Sequence, residues 1–246
     1  MLPAPLFSDA QSFPLVIVPL QGDHAQCLAQ AAALRGSGAH LLEWRLDTDP
    51  TWLDDAAAWA ERAAAYRAAA GLPVLATIRT TREGGGAEVD DSTYAGAVLR
   101  LAECCEAVDF EGSRGPETAA RLRQVAARAG CAVIASSHNF QTVPADDQLD
   151  RTLSELHERG DVVKIAVMPA QEADVSRLGA SARRYASRAD AKPAIVIAMG
   201  ELGRQGRLEP ASLGSCATFA CADKPSAPGQ VPVGQVVAAL NAQAAR

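Results

Sequence analysis

Aromatic residues are scarce in this 246-residue chain, at 4%, so its core must be built mainly from Val, Ile, Leu and Ala. Basic residues are outnumbered, 23 against 29 acidic, for a net charge of −6. That sign argues against a nucleic-acid or anionic-membrane binder. No window approaches the roughly 20 apolar residues of a membrane-spanning helix. The stretch from Met1 to Phe13 carries prolines and Asp9 but no basic residue, which argues against a secretory signal. The six cysteines form no C-x-x-C pair, no zinc spacing and no disulfide-dense pattern, and Cys104 and Cys105 are adjacent. Free thiols in a reducing cytoplasm fit that usage. Among the four histidines, none makes an i, i+4 pair, so no metal site is expected. G-x-S-x-G and P-loop motifs are missing too, and Gly84-Gly85-Gly86 reads as a flexible turn.

What remains is ordinary for a globular protein: 48% hydrophobic and 21% charged residues, in a chain long enough for a sizeable core. Short apolar runs recur at Leu15–Leu20, Leu41–Asp47, Val74–Arg79, Ala107–Glu111, Cys131–His138, Val162–Val167, Ala194–Met199 and Cys216–Ala220. Their length and mostly Val/Ile-rich character predict parallel strands buried on both faces. Between them the pattern predicts helices over Asp23–Arg35, Trp52–Ala70, Ser92–Glu106, Gly115–Ala129, Asp147–Arg159 and Gln171–Arg188, and a last one over Val233–Ala244. Ser92 is the expected cap of the third, and the Gly-rich segment after Met199 leaves room for one or two turns. Strands alternating with helices predict one (β/α)8 TIM barrel occupying residues 1–246 as a single catalytic domain. A doubly wound sheet is the competitor, but no G-x-G-x-x-G follows the first strand. The first thirteen residues are placed across the bottom of the barrel.

Several of these apolar strands contain charges, and a buried unpaired charge costs several kcal/mol. Alternation along a strand puts Glu43, Arg45 and Asp47 on one face, and Asp109 with Glu111. Lys164 shares a face with Val162 and Ala166, Arg79 ends the third strand and His138 the fifth. Nearly all lie toward the C-terminal ends, where barrels of this kind carry their active sites. A self-satisfying ion network would also account for the acidic and arginine pairs. A lysine among apolar neighbours is instead pushed toward its neutral, nucleophilic amine, the form used in Schiff-base chemistry. His138 one strand away is a plausible acid/base partner, whereas His24, His40 and His157 (the last on a polar helix surface) receive no role. The Pro/Gly-rich stretch from Ala222 to Gln230 is either a connector or a lid over the mouth.

In order along the chain stand Glu43-Trp-Arg-Leu-Asp47, Thr77-Ile-Arg-Thr-Thr-Arg-Glu-Gly-Gly85, Val108-Asp-Phe-Glu111 and Ser136-Ser-His-Asn-Phe140. Asp161-Val-Val-Lys-Ile-Ala166, Met199 through Leu208, Gly214-Ser-Cys-Ala-Thr-Phe219 and Ser226-Ala-Pro-Gly-Gln230 follow. Together these resemble the type I 3-dehydroquinate dehydratases. The resemblance implies a barrel hydro-lyase of the shikimate pathway that dehydrates 3-dehydroquinate to 3-dehydroshikimate through a covalent imine. It implies Lys164 as the Schiff-base lysine, His138 as general acid/base and Glu83 as the carboxylate that orients and polarises it. Glu43, Arg45 and Arg79 would hold ring hydroxyls; Arg207, Ser226 and Gln230 would bind the substrate carboxylate and close the lid. It further implies a homodimer acting on a small molecule, with neither metal nor organic cofactor, and the free thiols point to the cytoplasm. Gly206 stands where the family often has Ser, and Leu213 where it often has Phe, both in the loop from Gly200 to Leu213.

Alternative readings are a class I aldolase sharing Lys164, a catalytically silent barrel that binds a small acid, and a pyridoxal-phosphate enzyme. No convincing phosphate loop follows strand seven or eight, which disfavours the first.

Overall fold

Parallel strands covered on both faces need apolar residues at consecutive positions. The apolar runs form strands in the computed structural model, which describes residues 6–7, 13–222 and 226–245. In chain order these are β1 (Leu15–Leu20), β2 (Leu41–Arg45), β3 (Val74–Thr77), β4 (Ala107–Glu111), β5 (Ala132–Asn139), β6 (Val162–Val167), β7 (Ala194–Ala198) and β8 (Ala217–Cys221). Between them lie α1 (His24–Ala33), α2 (Trp59–Ala70), α3 (Asp91–Ala102), α4 (Pro116–Ala129), α5 (Asp146–Arg159), α6 (Glu172–Ala186) and the short α7 (Arg204–Leu208). A two-residue strand, β9 (Val231–Pro232), leads into α8 (Val233–Ala244).

The strands pair in parallel in the order β7-β6-β5-β4-β3-β2-β1-β8-β9. At the seam between β7 and β8, Cys216 N donates to Ala194 O at 2.8 Å and Val196 N to Ser215 Oγ at 2.9 Å. The curled sheet with its outer helices is a (β/α)8 barrel.

Alternation divides each strand between two layers. Val16, Val18, Leu42, Trp44, Val108 and Phe110 face the helices. Ile17, Leu41, Leu75, Ala107, Ile134, Val162, Ile195 and Ala217 turn inward and pack on one another. Each such side chain contributes roughly 1.5–3 kcal/mol on full burial. Climbing the same inward face toward the C-terminal end, the residues change character: Leu41 gives way to Glu43, Ala107 to Asp109, Ile134 to Ser136 and Val162 to Lys164. The apolar lower rungs thus hold up a polar upper one.

Some boundaries differ from expectation. The helix expected from Trp52 starts at Trp59, because the Trp52 carbonyl accepts the Trp59 indole N–H at 3.0 Å and the two rings stack. Asp90, not Ser92, caps α3: its carboxylate accepts Thr93 N at 2.7 Å and the Ser92 hydroxyl at 2.8 Å. A carboxylate there also meets the positive end of the helix. The chain leaves α3 at Ala102, and Glu106 instead accepts Val74 N at 2.8 Å. β2 and β3 end short of Asp47 and Arg79, since Asp47 turns back to accept the backbone N–H groups of Arg79 and Gly86. His157, expected on a polar surface, is buried with Nδ1 3.0 Å from the Tyr185 hydroxyl. Of the expected N-terminal cover, Phe7 is buried in the inward-facing cluster, and most of the remainder lies outside the described residues.

Candidate active site

The fold brings all nine candidate residues, from β2, β6, the ends of β3 and β5, α7 and the segment before β9, to one cavity of about 220 Å³. Lys164 stands midway along β6, in register with Ser136 on β5 and Ile195 on β7. Its surroundings are not the wholly apolar ones the sequence suggests. Nζ lies 2.9 Å from Asp109 Oδ2 and 4.5 Å above the centre of the Phe219 ring. The nitrogen is therefore held by an ion pair, and that pair has to open before the amine can attack a carbonyl.

Asp109 belongs to a larger network centred on Arg79. Arg79 Nη2 lies 2.7 Å from Asp109 Oδ1, and Nη1 lies 3.3 Å from both Glu83 Oε2 and Glu111 Oε1. Nη1 also donates to Ser136 Oγ at 3.1 Å, and the Ser136 hydroxyl donates to Asp109 at 2.6 Å. Burial works against ionising Asp109, but Arg79 and Lys164 outweigh it and hold the carboxyl well below the usual carboxylate range. Glu111 is in turn held by the Thr80 N–H and hydroxyl, each at 2.8 Å. On β2, Glu43 accepts the Thr77 hydroxyl at 3.0 Å. Arg45 makes a forked pair with Asp47, both bonds 2.8 Å. The expected ring-hydroxyl residues thus line the cavity, and both arginines there already have carboxylate partners.

His138 Nδ1 lies 2.8 Å from Glu83 Oε2, joining the end of β5 to a 3-10 turn at Thr81–Glu83. Gly84 ends that turn at φ +78, and a Cβ on Gly85 would lie 2.1 Å from the Arg79 carbonyl oxygen. The glycine run is therefore tightly packed rather than flexible, and only glycine permits that approach. Burial pushes the Glu83 carboxyl up to about 7; Glu111 and Asp109 add to the shift and Arg79 opposes it. Burial, followed by the positive charges of Arg79 and Lys164, holds the His138 imidazole well below its ordinary range. Near neutral pH that ring is uncharged. With Nδ1 on Glu83, Nε2 is left to exchange a proton with whatever occupies the cavity.

The far wall is apolar, with Ile197, Met199 and Phe219, and Arg207 from α7 is set into it. Arg207 is buried; Nη2 donates to Pro228 O at 3.1 Å, and Nε has no hydrogen-bond partner among the described residues. Burial draws its guanidinium down to about 10. Gln230 Nε2 donates to Ser226 Oγ at 2.9 Å, pinning the end of the expected lid; residues 223–225 of that lid lie outside the described residues. The two departures noted at 206 and 213 meet here, since a Cβ on Gly206 would lie 2.6 Å from Leu213 Cδ1. Sequence reasoning left Asp109 to a self-satisfying ion network and gave Phe219 and Ser136 no part in the site. Their places beside Lys164 depend on pairing between strands, which no local pattern encodes.

A family profile described as type I 3-dehydroquinase matches residues 16–245. The 3-dehydroquinate dehydratase of Shouchella clausii is 34% identical over 236 residues, 93% of this chain and 91% of that protein. The solved 3-dehydroquinate dehydratase of Geobacillus kaustophilus is 31% identical with a TM-score of 0.87, covering 94% of this chain and 91% of its own. The type I 3-dehydroquinate dehydratase of Clostridium difficile, solved with covalent modified comenic acid, is 26% identical with a TM-score of 0.86, covering 94% and 92%.

Proposed function

The chain belongs to the type I 3-dehydroquinase family, and on that premise we propose that it is a hydro-lyase converting 3-dehydroquinate to 3-dehydroshikimate, in the shikimate pathway, through an imine on Lys164. One observation carries the mechanism: Lys164 and a neutral imidazole braced by Glu83 face the same cavity.

The ammonium of Lys164 first gives up a proton. Asp109 stays ionised beside Arg79, so the acceptor is the His138 imidazole. The freed nitrogen adds to the substrate ketone carbon, and loss of water from that adduct leaves an iminium. This cation takes the place of the ammonium, and Asp109 remains its counter-ion. His138, again neutral, removes the proton beside the iminium carbon, and the electron pair is held as an enamine. The enamine then expels the β-hydroxyl, which leaves as water with the proton carried by His138. Water hydrolyses the product iminium and restores Lys164. Acid/base assistance of this kind typically gives about 10²–10⁴-fold. Arg207 presents a planar fork suited to the substrate carboxylate, a geometry a lysine would not reproduce. Ser226 and Gln230 would close the segment over it.

The test is the rise in ultraviolet absorbance as the conjugated product forms, together with borohydride reduction in the presence of substrate. We expect turnover and a permanent adduct on Lys164. Turnover with no adduct would remove the imine; absence of both would remove the activity. Among the described residues no helix is long and apolar enough to cross a membrane. The family resemblance supports one catalytic domain and a homodimer, and the free thiols a cytoplasmic setting; sedimentation as a 25.6 kDa monomer would remove the dimer.

A further inference from the structure

The Glu83–His138 hydrogen bond sits at the mouth of the barrel, yet the two side chains are only 8% and 10% exposed. Beside the imidazole lies Phe140, just beyond the end of β5 and two residues from His138. Its ring lies within 18° of parallel to the imidazole, centroids 6.4 Å apart. The ring also lies close to Gly84, where an added Cβ would be 2.4 Å from Phe140 Cε2. Phe140 is itself 38% exposed and lines the cavity.

We propose that Phe140 is a positioning residue: seated on Gly84, its ring keeps the His138 imidazole on Glu83 and shuts water away from that hydrogen bond. The charged groups that act on the pair are Arg45 on β2, Arg79 after β3, Asp109 and Glu111 on β4, and Lys164 on β6. The ring adds apolar cover beside the imidazole, while Ser113 Oγ reaches Glu83 Oε1 at 3.4 Å. Admitting water there relieves the burial that separates the two titrations, so the carboxyl falls and the imidazole rises.

The inference rests on His138 being the proton-transfer group, and two readouts separate its failure from the failure of that assignment. One is the pH dependence of kcat and KM for 3-dehydroquinate. The other is the NMR titration of the His138 imidazole without substrate, which requires no turnover. In Phe140→Ala the imidazole is expected to titrate at higher pH than in the parent. The acid limb of kcat/KM, set in the parent by the Glu83 carboxyl near 7, should move below its parental position, and kcat should fall on the order of 10–100-fold while KM stays within about threefold. Phe140→Tyr keeps the ring and should restore both profiles. A folded Phe140→Ala protein whose imidazole titration and rate profile superimpose on the parent's overturns the proposal. Should that variant fail to fold, Phe140→Leu removes the ring while keeping apolar volume and should shift both readouts the same way by less; superimposed profiles there would overturn it equally. If the parent does not dehydrate 3-dehydroquinate, the functional reading falls, while the imidazole titration still decides the role of Phe140.

Discussion

The two walls of the cavity follow opposite electrostatic rules. On the β2–β6 side the inward charges answer one another: Arg79 among Asp109, Glu83 and Glu111, Lys164 on Asp109, Arg45 on Asp47. On the side of β7, β8 and α7, Ile197, Met199 and Phe219 surround Arg207, whose Nε has no hydrogen-bond partner among the described residues. Breaking a buried network by removing one partner is costly, so the first wall holds its groups in fixed positions whether or not a ligand is present. The second leaves a desolvated cation whose natural partner is an anion brought in from outside. On the proposed mechanism the first wall performs the chemistry and the second selects a carboxylate.

That contrast can be broken most sharply at Lys164. Lys164→Ala leaves Asp109 its bonds to Arg79 and Ser136, so the variant should fold, and turnover should drop by at least about 10⁴-fold if the covalent route supplies most of the acceleration. Near-normal turnover, followed by product absorbance, would end the imine mechanism. His138→Ala should cost less, about 10²–10⁴-fold in kcat, and should also slow the appearance of the borohydride-trappable imine, since His138 takes the Lys164 proton. Unchanged kcat would make the paired wall merely structural.

The opposite wall predicts a different kind of defect. Arg207→Ala should raise KM by about 10–100-fold, the worth of a charged hydrogen-bonded contact, with a smaller effect on kcat. If neither constant moves, Arg207 does not hold the carboxylate. The smallest effect is one of stability. With its folded-state carboxyl near 7 against an ordinary value near 4.5, Glu83 retains a proton that the unfolded chain has already released. Stability therefore falls as pH rises between those values, and above about pH 7 the full cost is present. Glu83→Gln should remove that cost, raising Tm at pH 8 by several degrees, about 2 kcal/mol, with little change at pH 4. It should also abolish the rise of kcat/KM with pH near 7. A variant no more stable than the parent at pH 8 would show that Glu83 is not strained by burial.

The barrel was readable in advance because burial on both faces forces a run of apolar residues, and that requirement is local. All eight barrel strands appear where such runs occur; the ends that moved, at Arg45, Thr77 and Trp59, did so through contacts with distant residues. Glu43, Lys164 and His138 stood out because charge or imidazole inside an apolar run violates that same rule. Phe219 beneath Lys164, by contrast, obeys it and looks like any core residue.

Residue order along the chain settles which side chains share a face of each strand, Glu43 with Leu41 and Lys164 with Val162, while the closed barrel decides which face is the interior. Residue order says nothing of the electrical state those residues find there. Whether Lys164 sits in oil or against a carboxylate, and whether Glu83 keeps its proton at neutral pH, depend on register between β4, β5 and β6 and on how much water the closed barrel excludes. Coulomb interactions act across space at distances of a few ångströms. Residues 55 positions apart, such as Asp109 and Lys164, acquire such a distance only once the sheet has curled.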